Sequence, residues 1–252
     1  MTFLQIAVDA ARAAGGLLRA NFGLSLNVDS TEAHDIKLEL DRRSQRLIEG
    51  MLLDAFPETS VLGEEGSAGN SQAELQWIVD PIDGTVNFFY GIPHFCISIA
   101  LRRLATGETL VRVIYDPIAD ELWTAERGSP ALLNGRPIQV SRRTDMGETV
   151  ISIGASKTPA ALAKALPLFT RLIPQVCKVR MFGSAALAMT YVASGRLDAY
   201  IEYQVSIWDI AAGALILECA GGNTRFRSLD NCGEKFAIVA SSGCVDYEVS
   251  LD

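Results

Sequence analysis

The sequence has little that would mark a zinc protein or a disulfide-rich protein. Its 252 residues include only two histidines and five cysteines. The cysteines are scattered, odd in number and without a Cys-x-x-Cys pair, so neither a disulfide framework nor a zinc site is indicated. The histidines, His34 and His94, are isolated from each other and from the cysteines. They give no basis for a catalytic triad.

Positive charge and long apolar segments are also scarce. The chain has 22 lysine and arginine residues against 30 aspartate and glutamate residues, a net charge of −8, and no basic run. A nucleic-acid backbone is therefore not an expected partner. No apolar run reaches the length of a membrane span, and no basic segment followed by an apolar block opens the chain. We expect no membrane partner and a cytoplasmic location.

The elements predicted from apolar spacing alternate between helix and strand. Helices are predicted over 2–22, 40–55, 158–172, 183–193 and 207–220. Strands are predicted over 60–66, 77–79, 95–104, 109–115, 121–125, 150–153, 176–181, 197–202 and 236–241. Residues 24–38 and 67–74 are polar and are predicted to be loops. Because several strands follow one another while others alternate with helices, a layered α/β or α+β sandwich with mixed sheets is expected.

The stretch from Trp77 to Thr85 contains the main candidate site residues of the chain. A short apolar strand ends in two carboxylates, Asp80 and Asp83, with Pro81 between them. The proline fixes φ and lacks an amide hydrogen, so the strand is predicted to stop there. Two carboxylates on a stiff turn suit a hard cation and the anion that it holds. The alternative is that Asp-Pro and Asp-Gly are ordinary turn dipeptides.

Three further acidic residues lie at the ends of predicted elements. Asp41 and Asp209 stand at helix starts, and Glu64 follows a short strand. A carboxylate at a helix start can cap unpaired amides and interact favourably with the helix dipole. A single loop glutamate is usually exposed to solvent. Considered one at a time, these residues therefore have both a structural and a functional interpretation.

Taken together, Gly63-Glu64-Glu65, Trp77 to Thr85 and Trp208 to Gly213 resemble the inositol monophosphatase family. This family is a branch of the magnesium-dependent, lithium-sensitive phosphatase superfamily that includes fructose-1,6-bisphosphatases. The resemblance runs from Asp41 to Gly222, in the family's order and at about its spacing. It implies a fold of alternating α-β-α-β-α layers.

The resemblance also implies two subdomains that form one catalytic unit. Residues 1–145 would be an α+β subdomain that carries most metal ligands. Residues 146–252 would be an α/β subdomain that carries Asp209 and the substrate contacts.

The metal ligands implied by the resemblance are all oxygen donors. One Mg²⁺ would bind Glu64, Asp80 and the main-chain oxygen of Ile82, and a second would bind Asp80, Asp83 and Asp209. Mg²⁺ prefers hard oxygen ligands, and two such ions roughly 4 Å apart stabilise both the attacking and the leaving oxygen of a phosphoryl transfer. Whether two or three ions take part is left open.

The resemblance assigns catalytic roles to three residues. A metal-activated water near Glu64 would be the nucleophile, Thr85 would help to activate it, and Asp41 would orient the Thr85 hydroxyl. Amides of Gly84 and Thr85 would hold the phosphate. No phosphoenzyme is required, because phosphoryl transfer depends mainly on positioning and charge neutralisation.

The resemblance implies substrate contacts at eight positions: Asp83, Gly84, Thr85, Gly183, Ser184, Ala185, Glu202 and Asp209. The chain departs from the usual family pattern at Tyr203-Gln204 and over residues 35–39. Lys37, within the second departure, is either a phosphate or loop contact or an ordinary solvated lysine. Both departures leave the natural substrate open.

The function predicted from the resemblance is Mg²⁺-dependent hydrolysis of a small polyol or sugar phosphate monoester, inhibited by Li⁺. Fructose-1,6-bisphosphatase, histidinol-phosphatase and nucleotide 3′-phosphatase activities are the alternatives on the same scaffold. A non-catalytic binding protein is an alternative of a different class. A homodimer is expected, because family members are commonly dimeric.

Overall fold

The computed structural model describes residues 1–24, 28–32, 35–156 and 158–251, with only the backbone described in 28–32 and 35–38. His34 and the side chain of Lys37 therefore lie outside the described residues. The described helices are α1 (Phe3–Asn21), α2 (Glu39–Ala55), α3 (Thr85–Phe89), α4 (Pro159–Leu172), α5 (Ala185–Ala193) and α6 (Ile207–Cys219). Within this part of the chain, no helix is long and apolar enough to cross a membrane.

The strands form a short hairpin and two mixed sheets. The hairpin pairs β1 (Val28–Glu32) with β2 (Asp35–Leu38). The larger sheet has the order β10-β9-β8-β7-β6-β5-β3-β4. Its members are β3 (Ser60–Gly63), β4 (Gly66–Gly69), β5 (Leu75–Asp83), β6 (Cys96–Arg103), β7 (Thr109–Asp116), β8 (Glu121–Glu126), β9 (Leu132–Leu133) and β10 (Arg136–Pro137).

The second sheet has five strands in the order β12-β11-β13-β15-β14. They are β11 (Val150–Ile153), β12 (Lys178–Arg180), β13 (Ala199–Ser206), β14 (Asn223–Ser228) and β15 (Lys235–Ser241). Strand β11 runs parallel to β12 and β13, whereas β15 is antiparallel to its neighbours. In the larger sheet, β3 and β5 are parallel and the pairs from β5 to β10 are antiparallel.

The elements stack in five layers, α-β-α-β-α, as the resemblance implied. Side-chain alternation along β5 shows how the layers form. Trp77 and Val79 pack in one core with α1 and α2, whereas Ile78 packs in another with α5 and α6. The second sheet covers the other side of α5 and α6, and its outer face buries α4. Helices α5 and α6 are thus apolar on nearly all sides, which explains their Ala- and Leu-rich sequences.

Three predictions about local structure were wrong, and two of them assigned strand residues to loops. Residues 24–38 include the β1–β2 hairpin, and residues 67–74, predicted as a loop, begin with the last three residues of β4. Strand β14 was not predicted at all. Strands β4 and β14 are the outermost strands of their sheets. Both strands are exposed along most of their length, so their sequences carry no apolar alternation.

The third wrong prediction is that Pro81 ends its strand. Strand β5 continues to Asp83, with a β-bulge between Asp80 and Asp83 opposite β6. Asp80 pairs with Ser98 and Asp83 with Cys96, so two residues of β5 face one of β6. The bulge accommodates a residue that cannot donate to the ladder. As a result, both carboxylates lie within the end of a strand rather than on a free turn.

Candidate active site

Three of the predicted carboxylates converge at the end of β5. Oxygens of Asp80, Asp83 and Asp209 lie within 4.8 Å of one another. Glu64 and Ile82 line the same cavity, which has a volume of about 350 Å³. The β5 strand supplies two of these carboxylates, while the first turn of α6 supplies the third. The fold therefore brings together acidic residues up to 145 positions apart in the sequence (Glu64 to Asp209).

Glu64 is delivered by a tight hairpin. Gly63 at the end of β3 pairs with Gly66 at the start of β4, so Glu64 and Glu65 form a two-residue loop. The amide of Glu64 donates to the carbonyl of Val79 at 3.2 Å, which fixes the loop beside Asp80. This geometry explains why a short strand and a Gly-Glu-Glu-Gly sequence precede the main motif.

Asp80 is buried beside the other carboxylates of the site. It is 1% exposed, and its Oδ1 accepts a hydrogen bond from the amide of Ile82 at 3.0 Å. Burial raises the pKa of Asp80 well above its ordinary value, and the charges of Glu64, Asp83 and Asp209 raise the pKa further. An ionised Asp80 therefore needs a neighbouring positive charge.

Asp83 joins the two halves of the chain. Its carboxylate accepts hydrogen bonds from the Ser184 hydroxyl at 2.6 Å, the Ala186 amide at 2.7 Å and the Ala185 amide at 3.3 Å. Burial, followed by the charge of Asp209, raises the pKa of Asp83 to about 7, although these hydrogen bonds lower it. Ser184 and Ala185, predicted substrate contacts, thus donate to a carboxylate at the floor of the cavity.

Asp209 has a capping role as well as a place in the cluster. Its Oδ2 accepts from the amide of Ser206 at 2.8 Å, in a capping box at the start of α6. Burial raises the pKa of Asp209. The structural and the functional interpretations of this residue are therefore compatible, since one residue caps the helix and lies within reach of two other carboxylates.

Thr85 and Asp41 are close together, as predicted. The Thr85 hydroxyl lies 3.3 Å from Oδ1 of Asp41 and 3.0 Å from the carbonyl oxygen of Ile82. The hydroxyl has one proton, so it donates to one of these oxygens at a time. Asp41 is 2% exposed. A buried carboxylate beside an oriented hydroxyl is a suitable pair for holding or accepting a proton.

Gly84 is required by its conformation and by its surroundings. Its φ of 101° lies in the left-handed region. A Cβ there would lie 3.0 Å from the carbonyl oxygen of His94 and 3.3 Å from that of Gly183. Gly84 precedes α3 and lines the cavity together with Thr85 and Gly183. The cavity wall can therefore approach a ligand here without an intervening side chain.

Glu202 lies on the part of the cavity wall formed by β13. It accepts a hydrogen bond from the Tyr200 hydroxyl and another from the Ser156 backbone. Burial raises the pKa of Glu202 to about 7, and the charges of Asp209 and Asp83 act in the same direction. A Cβ on Gly154 would overlap the Glu202 carboxyl group, so the glycine makes room for it.

Two buried polar residues of α2 contribute to the site and were missed in the sequence. Gln45 is 4% exposed; its Oε1 accepts from the Glu65 amide at 2.9 Å, and its Nε2 donates to the Gly66 carbonyl at 3.2 Å. The Ser44 hydroxyl lies 3.3 Å from the Pro81 carbonyl oxygen. Gln45 follows Asp41 by one helical turn, and this spacing on one face was the available signal.

Replacing Gln45 with leucine is expected to displace the Glu64 hairpin, because the Glu65 amide and the Gly66 carbonyl would lose their partner. We expect the Kd of the cavity for Mg²⁺, measured by calorimetric titration, to rise roughly tenfold or more. Gln45→Glu keeps the acceptor but loses the donor, so it should have an intermediate effect. An unchanged Kd for Mg²⁺ in Gln45→Leu would contradict this positioning role.

The donor set fits a divalent cation. Every ligating side chain is a carboxylate, and the three that converge are largely or partly buried. Among the described residues that line the cavity, none is a lysine or an arginine. Lys235, which does not itself line the cavity, lowers the pKa of Asp209 through its charge. The remaining negative charge is balanced by protons or by bound cations, and oxygen-rich sites of this type suit Mg²⁺.

The chain is similar to known proteins over most of its length. A model of the inositol monophosphatase family matches residues 1–245. A Xylella fastidiosa protein named Nus factor SuhB is 40% identical over 87% of this chain and 80% of its own length. An inositol-1-monophosphatase of Rhizobium meliloti is also 40% identical, over 87% of this chain and 83% of its own length. The crystal structure of the extragenic suppressor protein suhB from Bartonella henselae superimposes with a TM-score of 0.88 at 36% identity, covering 95% and 93% of the two chains.

Proposed function

Because the chain belongs to the inositol monophosphatase family, we propose that it hydrolyses a small polyol or sugar phosphate monoester in a Mg²⁺-dependent reaction. The observation that carries the proposal is the convergence of Asp80, Asp83 and Asp209 within 4.8 Å of one another. Their cavity of about 350 Å³ is of the size that small-molecule sites have. Buried carboxylates whose pKa values are raised by one another are typical of functional sites.

The residues that would hold the metal are those of the cavity floor. Glu64, Asp80 and the carbonyl of Ile82 would bind one Mg²⁺, and Asp80, Asp83 and Asp209 would bind a second. When bound, such ions neutralise charge on the phosphoryl group and lower the pKa of water. Asp80 would contribute to both, which is consistent with the charges of Glu64, Asp83 and Asp209 all raising the pKa of its carboxyl group.

The remaining groups would orient the phosphate and handle the proton. Gly84 and Thr85 line the cavity, and their amides would bind phosphoryl oxygens. The Thr85 hydroxyl and the Asp41 carboxylate, 3.3 Å apart, would position the attacking water and accept its proton. Glu202 would accept hydrogen bonds from the hydroxyls of the leaving alcohol, and Gly183 also lines the cavity.

A phosphate-release assay tests the proposal. The substrates are inositol 1-phosphate, fructose 1,6-bisphosphate, histidinol phosphate and adenosine 3′,5′-bisphosphate, each with and without Mg²⁺. The proposal predicts Mg²⁺-dependent turnover that is fastest on inositol 1-phosphate. Preference for another substrate would place the chain on one of the alternative branches. Absence of Mg²⁺-dependent turnover on all four would contradict the proposal.

Lithium sensitivity and dimerisation belong to the same proposal. We expect millimolar Li⁺ to inhibit the turnover seen in that assay, and light scattering to give the mass of a homodimer. Full activity in excess Li⁺ would indicate a divergent branch. A monomeric mass would contradict the dimer without affecting the proposed chemistry.

The relative named Nus factor SuhB favours a second candidate, in which this chain is a Nus factor rather than an enzyme. That role would not require the carboxylate cluster to support turnover. The cluster is nevertheless complete in this chain, and its three members carry a buried charge that costs stability without a bound cation. Turnover in the phosphate-release assay would separate the two candidates.

A further inference from the structure

Gln204 lies on the cavity wall, two residues after Glu202 on β13. Alternation along this strand places Ala199, Ile201 and Tyr203 in the core with α4. Glu202 and Gln204 lie on the opposite face and line the cavity. The pairing of β13 with β15 then shifts register before Val205. The Tyr203-Gln204 departure therefore divides into a core residue and a cavity residue.

The side chain of Gln204 is held in a fixed orientation. Its Oε1 accepts a hydrogen bond from the Thr158 hydroxyl at 2.6 Å. Thr158 is itself fixed as the N-cap of α4, where its hydroxyl oxygen also accepts from the Ala161 amide at 3.3 Å. The side-chain amide group is planar, so the hydrogen bond to its oxygen also orients the two N–H donors on Nε2.

These donors are available to a ligand. Among the described residues, no oxygen accepts a hydrogen bond from Nε2 of Gln204. The residue is partly exposed, at the surface of the cavity. A preorganised donor in a cavity discriminates strongly between ligands with and without an acceptor. A ligand without an acceptor would displace water from Nε2 and leave the donor without a hydrogen bond.

Glu202 and Gln204 supply opposite hydrogen-bonding functions. Glu202 accepts from Tyr200 and from the Ser156 backbone, and its carboxylate can accept further bonds. A hydroxyl group both donates and accepts, so one hydroxyl, or two neighbouring ones, can satisfy this pair. A second phosphate near Glu202 would meet a like charge instead.

We propose that Gln204 is a specificity-determining residue that donates a hydrogen bond to a hydroxyl oxygen on the leaving alcohol of the substrate. Leaving alcohols that carry a free hydroxyl near Gln204 are then preferred over simple aryl leaving groups. This inference rests on the proposed function, which it extends to the substrate class.

The test compares kcat/KM for inositol 1-phosphate with that for phenyl phosphate, whose leaving group has no other hydroxyl. In Gln204→Ala we expect the ratio of the two to fall about tenfold or more, since a hydrogen bond to the leaving group is lost. Gln204→Glu, of the same shape, replaces the donor with an acceptor and should lower the ratio further. Thr158→Val should lower it less, because it removes only the anchor.

Gln72→Ala is the matched control, since Gln72 is exposed and does not line the cavity. Its ratio should equal that of the unmodified protein. A ratio within twofold of the unmodified protein in both Gln204→Ala and Gln204→Glu would overturn the proposal. If Gln204→Ala does not fold, Gln204→Glu alone decides.

The Gln204 contact can also be tested if the proposed phosphatase activity is absent. If the unmodified protein hydrolyses neither substrate, calorimetric titration with inositol 1-phosphate in the presence of Mg²⁺ replaces the kinetic assay. A tenfold loss of affinity in Gln204→Ala would still support the contact. Equal affinity in the two proteins, or binding to neither, would overturn it.

Discussion

Replacing Asp80 with asparagine is expected to reduce Mg²⁺-dependent phosphate release by roughly 10³-fold or more, because Asp80 would be lost from both proposed metal positions. The same change should stabilise the metal-free protein. Asparagine keeps the acceptor for the Ile82 amide and removes a charge that lies beside Glu64, Asp83 and Asp209. We expect the metal-free melting temperature at pH 8 to rise by about 3 °C or more.

Asp83→Asn is the matched comparison. It should also abolish activity, but Asp83 accepts from the Ser184 hydroxyl and from two amides of α5. An asparagine amide group would face at least one of these donors, so this variant should gain little or no stability. Calorimetry on the metal-free proteins measures both effects. A loss of stability in Asp80→Asn together with retained activity would contradict the metal-site assignment.

The stability of the metal-free protein is expected to fall as the pH rises from about 4 to 7. The pKa of Asp83 is raised from its ordinary 3.8 to about 7. A carboxyl group with a raised pKa in the folded state stabilises the fold fully below its unfolded pKa, and this contribution is lost as the pH rises through the folded pKa. At 1.36 kcal/mol per pKa unit, the shift of Asp83 alone corresponds to about 4 kcal/mol. Asp80 and Asp209 act in the same direction, because burial raises the pKa of each.

Mg²⁺ is expected to reverse this dependence. Ligands must lose their protons before they bind the ion, so Mg²⁺ should raise the melting temperature most at pH 8 and least at pH 5.5. Glu202, whose pKa is also raised to about 7, is not a proposed metal ligand. Glu202→Gln should therefore reduce the fall in melting temperature with pH in the metal-free protein. The increase in melting temperature on adding Mg²⁺ should be unchanged. A metal-free melting temperature that rises between pH 5.5 and 8 would contradict this prediction.

Much of the candidate site could be predicted from the sequence because its proposed ligands lie within short sequence motifs. Asp80 and Asp83 belong to one strand end, and Asp209 stands in the first turn of a helix whose apolar sequence is easily read. The prediction that these carboxylates meet came from the resemblance to a family. Composition and periodicity say only that each stands at the end of an element.

The parts that could not be predicted depend on tertiary contacts. Gln45 reads as one polar residue among several on α2, and only the packing of β3 against that helix shows that it holds the Glu64 hairpin. Ser184 and Ala185 line the cavity, and their role as substrate contacts stays a prediction, but their hydrogen bonds to Asp83 could not be predicted. That contact spans about a hundred residues of sequence, a distance over which no local pattern carries information.

The direction of the Gln204 side chain could not be predicted from the sequence either. As a departure from a family pattern, Tyr203-Gln204 raised doubt about the substrate without indicating which residue mattered. Strand alternation resolves this, because it buries Tyr203 against α4 and turns Gln204 toward the cavity.

A crystal structure of the protein grown with Mn²⁺ and inorganic phosphate, with anomalous data collected at the manganese edge, tests the central claim most directly. We predict one anomalous peak between Asp80, Asp83 and Asp209 and a second between Glu64 and Asp80, with phosphate bound over the amides of Gly84 and Thr85. A cavity without any anomalous peak, while manganese is bound elsewhere or not at all, would contradict the account.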